Sequence, residues 1–208
     1  TLSRWGRGGY DLTVNLNDTF YCLPDCAAYL HCICDPLEES ALGRLAAGVL
    51  SRVAPAKVMG EILVISDFTR ERLIRFFPAL DGRVLKIHPP CVGREHISSG
   101  AGRKTYDVIS VGTFAPQKGQ FEQLQIAERL RHLRFALAGS VWNRRYFRRC
   151  MEYKQSRALD HVDLYPNLER GRLEDLLSQS RVFLHYKRQE GFGITTVEGI
   201  ARGCIPVV

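Results

Sequence analysis

The chain has 208 residues, 45% hydrophobic and 25% charged, which suits a globular protein of one large domain or two small ones. No apolar run approaches the roughly 18–20 residues of a bilayer-spanning helix. The formal net charge of +7 favours anionic partners: phosphorylated small molecules, acidic lipid headgroups or nucleic acid.

There is no initiator Met, and Thr1-Leu2-Ser3-Arg4-Trp5-Gly6 does not read as a signal peptide. Leu12–Leu16 and Ala28–Cys32 read as strands. Cys22, Cys26, Cys32 and Cys34 cluster, but as C-x3-C and C-x-C, without paired CxxC knuckles. Free thiols in a reducing compartment are expected there rather than a metal site. Residues 38–53 read as a helix and Ile62–Ile65 as a strand. Ser66 is a candidate cap for a helix carrying Leu73 and Phe77 and stopped by Pro78. Val84–His88 is a further strand, closed by Pro89-Pro90. Residues 93–104, rich in Gly, Ser and charge, read as a linker between a first domain (1–92) and a second (105–208).

The second series opens with Val108–Val111 as a strand and a turn from Gly112 to Gly119. The following helix has Phe121, Leu124, Ala127 and Leu130 on one face. Phe135–Ala138 is a strand. Asn143-Arg144-Arg145-Tyr146-Phe147-Arg148-Arg149 is the densest basic stretch, read as a solvated helix face with contact to an anionic membrane surface as the functional alternative. No helix-turn-helix, zinc-finger or RNP pattern supports nucleic acid as a partner. Val162–Tyr165 and Val182–Tyr186 are strands flanking a helix over Arg172–Ser180. Cys204-Ile205-Pro206-Val207-Val208 reads as a buried strand just beginning, and both chain ends are expected to be cut. Strands alternating with helices predict an α/β fold with parallel sheets.

The chemistry concentrates after the Val182–Tyr186 strand, in Glu190-Gly191-Phe192-Gly193-Ile194-Thr195-Thr196-Val197-Glu198. In an open α/β sheet, ligands bind beyond the carboxyl ends of the strands. Gly191 and Gly193 let the backbone approach a ligand, and Thr195 or Thr196 can cap the helix. The helix start offers N–H donors and partial positive charge to a diphosphate. Glu190 and Glu198 can each accept hydrogen bonds from neighbouring hydroxyls, as in a sugar or ribose diol. A nicotinamide dehydrogenase would need G-x-G-x-x-G between strand and helix; Trp5-Gly6-Arg7-Gly8-Gly9 lacks that context.

This segment resembles the E-x7-E motif of the retaining glycosyltransferase group GT4, whose fold is GT-B. The resemblance implies two Rossmann-like domains, both incomplete here. It implies that Glu190 contacts the donor hexose, Glu198 the ribose, and the Gly191-Phe192-Gly193 backbone the sugar and diphosphate. Val111-Gly112-Thr113-Phe114-Ala115-Pro116-Gln117-Lys118-Gly119 resembles the first donor-domain loop of the group. Lys118 matches its diphosphate-binding Lys, while Thr113 stands where an Arg is usual, leaving one fixed charge fewer. Ile65-Ser66-Asp67-Phe68-Thr69-Arg70 resembles a late acceptor-domain turn, and Tyr29-Leu30-His31 a segment whose His lies near the donor sugar. His88-Pro89-Pro90-Cys91 is similar to the stretch preceding the interdomain linker.

The Pro-Pro-Cys stretch, the Thr113 loop and residues 11–31 look most like α-1,2-mannosyltransferases that extend a dolichol-linked oligosaccharide from GDP-mannose. The resemblance therefore implies retaining hexosyl transfer, with mannose as the hexose, to a glycan or lipid-linked acceptor. No metal or other cofactor is expected beyond the nucleotide sugar. The location implied is cytoplasmic, at the cytoplasmic face of a membrane. Alternatives are a UDP-sugar-dependent transferase of the same group and a nucleotide-sugar-binding piece or basic surface-binding module without catalysis.

Overall fold

The computed structural model describes residues 14–15, 28–31, 61–76, 78–91, 103–187 and 190–208. The expected helix over 38–53, the Cys22–Cys34 cluster, the Trp5–Gly9 stretch and most of the expected linker lie outside the described residues. The chain divides into two compact units, Thr1–Pro89 with Gln189–Phe192, and Pro90–Arg188 with Gly193–Val208.

The first unit holds a parallel sheet of β1 (Val14–Asn15), β2 (Ala28–His31), β3 (Glu61–Val64) and β4 (Val84–Lys86), in that spatial order. Ile62 and Val64 of β3 are buried, as is Ile65 just beyond it. Helix α1 (Asp67–Phe76) follows at once. Its start is fixed reciprocally: Thr69 N donates to Ser66 Oγ at 3.1 Å, and Ser66 N donates to Thr69 Oγ1 at 3.0 Å. This is a capping box with Thr in the usual Glu position, satisfying two backbone donors that a helix start leaves open. Leu73 turns into the core, and the chain leaves the helix before Pro78, which opens a 3-10 turn over Pro78–Arg83.

The second unit is a five-stranded parallel sheet of β5 (Tyr106–Val111), β6 (Phe135–Gly139), β7 (Val162–Pro166), β8 (Ser180–Leu184) and β9 (Ile205–Val207). Its spatial order is β7-β6-β5-β8-β9. Helices α2 (Gln120–Arg129), α3 (Arg144–Ser156), α4 (Arg170–Ser178) and α5 (Ile194–Ala201) connect the strands. Side chains alternate across a strand, so β6 serves both faces. Phe135 and Leu137 join Leu124, Ala127 and Cys150 in one cluster; Ala136 and Ala138 join Leu176, Leu177 and Phe183 in the other. A strand covered on both sides reads as an unbroken apolar run, which is why Phe135–Ala138 was recognisable.

Toward the strand starts, a polar network ties β5 to β7. Tyr106 Oη meets Asp163 Oδ2 at 2.6 Å and Tyr165 Oη at 2.5 Å, and Arg134 reaches the same carboxylate at 3.2 Å. Burial, then the hydrogen bond with Asp163, pushes the Tyr106 hydroxyl far above its ordinary value, so it stays a donor.

The C-terminal segment corrects one expectation. β9 is a strand paired with β8, but among the described residues Ile205 is 67% and Val207 49% exposed.

Candidate functional site

In the second unit, β5 is flanked by β6 on one side and β8 on the other, so the chain winds first one way and then the other. The reversal between β5 and β8 is a topological switch point. In open α/β sheets, ligands bind beyond the carboxyl ends of the strands at such a point. The loop after β5 is Gly112–Gly119; the chain after β8 reaches α5 through His185, Tyr186 and Lys187 and, further on, Gly193.

The β5 loop is built by close backbone packing. Gly112 N donates to Ala138 O at 2.9 Å and Phe114 N to Ser140 O at 2.7 Å, extending the ladder past the strand ends. A Cβ on Gly139 would stand 1.9 Å from Gly112 O, so only glycine admits this approach. Two buried glutamines of α2 brace the loop from within. Gln120 Nε2 donates to Gly112 O at 3.1 Å and Thr113 O at 2.9 Å, and Gln123 Nε2 to Lys118 O at 3.0 Å. Lys118 ends a 3-10 turn over Pro116–Lys118 and lays its aliphatic stem beside Gly112. Neither glutamine was singled out from the sequence; polar residues at the start of a helix carry no local sign that they will point inward.

Helix α5 corrects a second expectation. Its N-cap is Gly193, in the left-handed conformation at φ 78°, with no side-chain cap. Thr195 and Thr196 lie within the first turn of the helix and do not cap it. Thr195 Oγ1 points to Val111 O at 3.5 Å, the outer limit of a hydrogen bond, and Thr196 Oγ1 meets His185 Nδ1 at 3.3 Å. The threonines thus tie α5 to the ends of β5 and β8. With no side chain on its first N–H groups, the helix start keeps donors for an anion.

Glu198 sits in α5, 8% exposed, and takes a 2.7 Å hydrogen bond from Arg170 Nη1 of α4. Arg170 lies 28 residues away in sequence and was not anticipated; nothing local marks such a pair.

Glu190, Gly191 and Phe192 belong to the first unit, where Ser66 Oγ donates to the Gly191 carbonyl and the Phe192 ring lies 5.4 Å from that of His88. Glu190 is half-buried. His31 is the last residue of β2. Gly112, Thr113, Lys118, Gly193, Thr195 and Glu198 are thereby gathered in the second unit, and Glu190, Gly191, Phe192 and His31 in the first. Among the described residues there is no group of three or more His, Cys, Asp or Glu side chains able to hold a metal ion.

A family model described as "Glycosyl transferases group 1" matches residues 93–208, more than half of the chain. A search of curated protein sequences finds no match. Among solved structures, the chain is similar to WaaG, a glycosyltransferase involved in lipopolysaccharide biosynthesis, with TM-score 0.67 and 17% identity over 95% of this chain and 59% of that one. It is similar to a glycosyltransferase from Rickettsia africae ESF-5, with TM-score 0.66 and 13% identity over 87% of this chain and 57% of that one. It also resembles Anabaena Alr3699/HepE, whose structure holds UDP and glucose, with TM-score 0.64 and 16% identity over 86% of this chain and 52% of that one. The chain therefore spans between half and three fifths of the length of these structures. They share its fold, that of the GT-B glycosyltransferases, with parallel sheets and a partial domain in this chain.

Proposed function

The chain belongs to the glycosyl transferases group 1 family, and on that premise we propose that the protein transfers a hexose from a nucleotide-sugar donor to a glycan or lipid-linked acceptor. One observation carries the reading. At the β5/β8 switch point, a lysine-bearing loop and an uncapped helix start stand at the carboxyl ends of adjacent strands. That arrangement suits a diphosphate leaving group.

In the proposed reaction, the bond between the anomeric carbon and the diphosphate oxygen breaks while positive charge develops on the sugar. Lys118 and the N–H groups at the start of α5 receive the negative charge on the departing diphosphate, lowering the barrier electrostatically. Glu190 orients the sugar hydroxyls, with His31 beside the sugar, and Glu198 holds the ribose. The Gly191-Phe192-Gly193 backbone lines the sugar and diphosphate. The acceptor hydroxyl oxygen bonds to the anomeric carbon on the face the diphosphate leaves, and its proton passes to the departing diphosphate oxygen, so the configuration is retained and no protein base is required. The resemblance of Pro89-Pro90-Cys91 and the Thr113 loop to α-1,2-mannosyltransferases of the GT4 group supports mannose, from GDP-mannose, as the hexose. The UDP and glucose held by Alr3699/HepE favour a UDP-sugar as the second reading.

Calorimetric titration tests the donor. GDP is expected to bind, UDP to bind more weakly, and NAD not at all; tight binding of NAD with no response to either diphosphate would refute the proposal. Lys118→Met is expected to weaken GDP binding roughly tenfold, the effect of losing one charge-assisted hydrogen bond.

A cytoplasmic site of action at an anionic membrane surface is part of the same proposal. Arg144, Arg145 and Arg148 of α3 are exposed, and Trp142 just before them is 79% exposed. Each arginine near an anionic leaflet contributes about 1 kcal/mol. Replacing the three by alanine should reduce co-sedimentation with phosphatidylserine vesicles by roughly a hundredfold in partition coefficient. Unchanged sedimentation would remove the membrane from the proposal.

A further inference from the structure

Glu198 is nearly enclosed, and a carboxylate is held charged in such a place only with a partner. Its partner is Arg170, whose Nη1 donates to Oε1 at 2.7 Å. The guanidinium is itself fixed at a second point, where Nε donates to Glu174 Oε1 at 2.7 Å. Arg202, at the end of α5, closes on Glu174 Oε2, also at 2.7 Å. Four charges of alternating sign therefore run from α5 to α4 and back to α5. A planar guanidinium bound along two edges has little freedom left, and the carboxylate it grips inherits that restriction. The grip takes one oxygen: Glu198 Oε2 accepts no hydrogen bond from the described residues.

We infer that Arg170 is a positioning residue for the nucleotide: it occupies Oε1 of Glu198 and holds Oε2 ready to accept the ribose hydroxyls. The inference rests on the proposed role of Glu198 as ribose anchor and adds what makes that anchor directional. The Arg170 side chain is 58% exposed, so solvent screens its contribution to overall stability. Its effect belongs in ligand discrimination.

Comparing GDP with 2′-deoxy-GDP, and UDP with 2′-deoxy-UDP, isolates that effect, because only the 2′-hydroxyl differs within each pair. The protein is expected to prefer the ribonucleotide about tenfold. Arg170→Gln should bring the ratio near one while leaving the affinity for the deoxynucleotide within about twofold. Arg170→Lys keeps the charge without the fork and should retain only part of the preference; it carries the test should R170Q fail to fold. Glu198→Gln separates the two levels of the argument. If E198Q loses the ribose preference and both Arg170 variants keep it in full, the positioning role is overturned and the anchor stands. If E198Q keeps the preference, or the protein has none, the anchor itself is wrong and the inference falls with it.

Discussion

Replacing Glu190 by alanine is expected to lower kcat/KM for hexosyl transfer by about a hundredfold, comparable to removing one preorganised polar contact from a transition state. The carboxylate is proposed to hold the sugar hydroxyls while the ring flattens and gains positive charge. Its contribution should therefore appear mainly in kcat, with the affinity for the free nucleoside diphosphate almost unchanged. Glu190→Gln, which keeps an acceptor oxygen but not the charge, should fall between the two. Steady-state transfer assays alongside diphosphate titrations make the comparison. Near-normal turnover in the alanine variant would take Glu190 out of the site.

Gly139→Ala is expected to cost about 3 kcal/mol or more and to lower Tm by roughly 10 °C. The new methyl would stand 1.9 Å from the Gly112 carbonyl oxygen and 3.2 Å from Thr113 N, both backbone atoms that no rotamer change can move. Relief requires the β5 loop to retreat from β6, breaking the Gly112–Ala138 and Phe114–Ser140 bonds. Gln120, which donates to the Gly112 and Thr113 carbonyls, would lose its geometry as well. Diphosphate affinity should thus fall even at temperatures where the variant remains folded. Calorimetric unfolding checks the first effect, and a Tm within a degree or two of the unsubstituted protein would contradict it.

The parallel strands of the second unit were legible because burial on both faces leaves an apolar run bounded by turns, as in Phe135–Ala138. The start of α1 was legible because a cap is a local interaction: Ser66 and Thr69 are three residues apart. The start of α5 was half legible. Gly193 announced a tight turn, but the neighbouring threonines drew the cap assignment to themselves. The glycine's left-handed backbone placed the boundary one residue before Ile194, and their hydroxyls went to the ends of β5 and β8. The basic run around Arg148 was visible, yet not that Arg149 would lay its guanidinium 3.9 Å from the centre of the Phe121 ring. That contact joins α2 to α3 and, like the Arg170–Glu198 pair, depends on how helices pack.

The Tyr106–Asp163–Tyr165 cluster gives the sheet of the second unit two unlike ends. At one, the hydroxyls of Tyr106 and Tyr165, the Asp163 carboxylate and Arg134, just before β6, tie β5 to β7. At the other stand the β5 loop and the start of α5. A scaffold anchored from behind tolerates rewriting at its front. Exchanges in the loop and helix start that would alter the proposed donor preference can then accumulate without unravelling the framework.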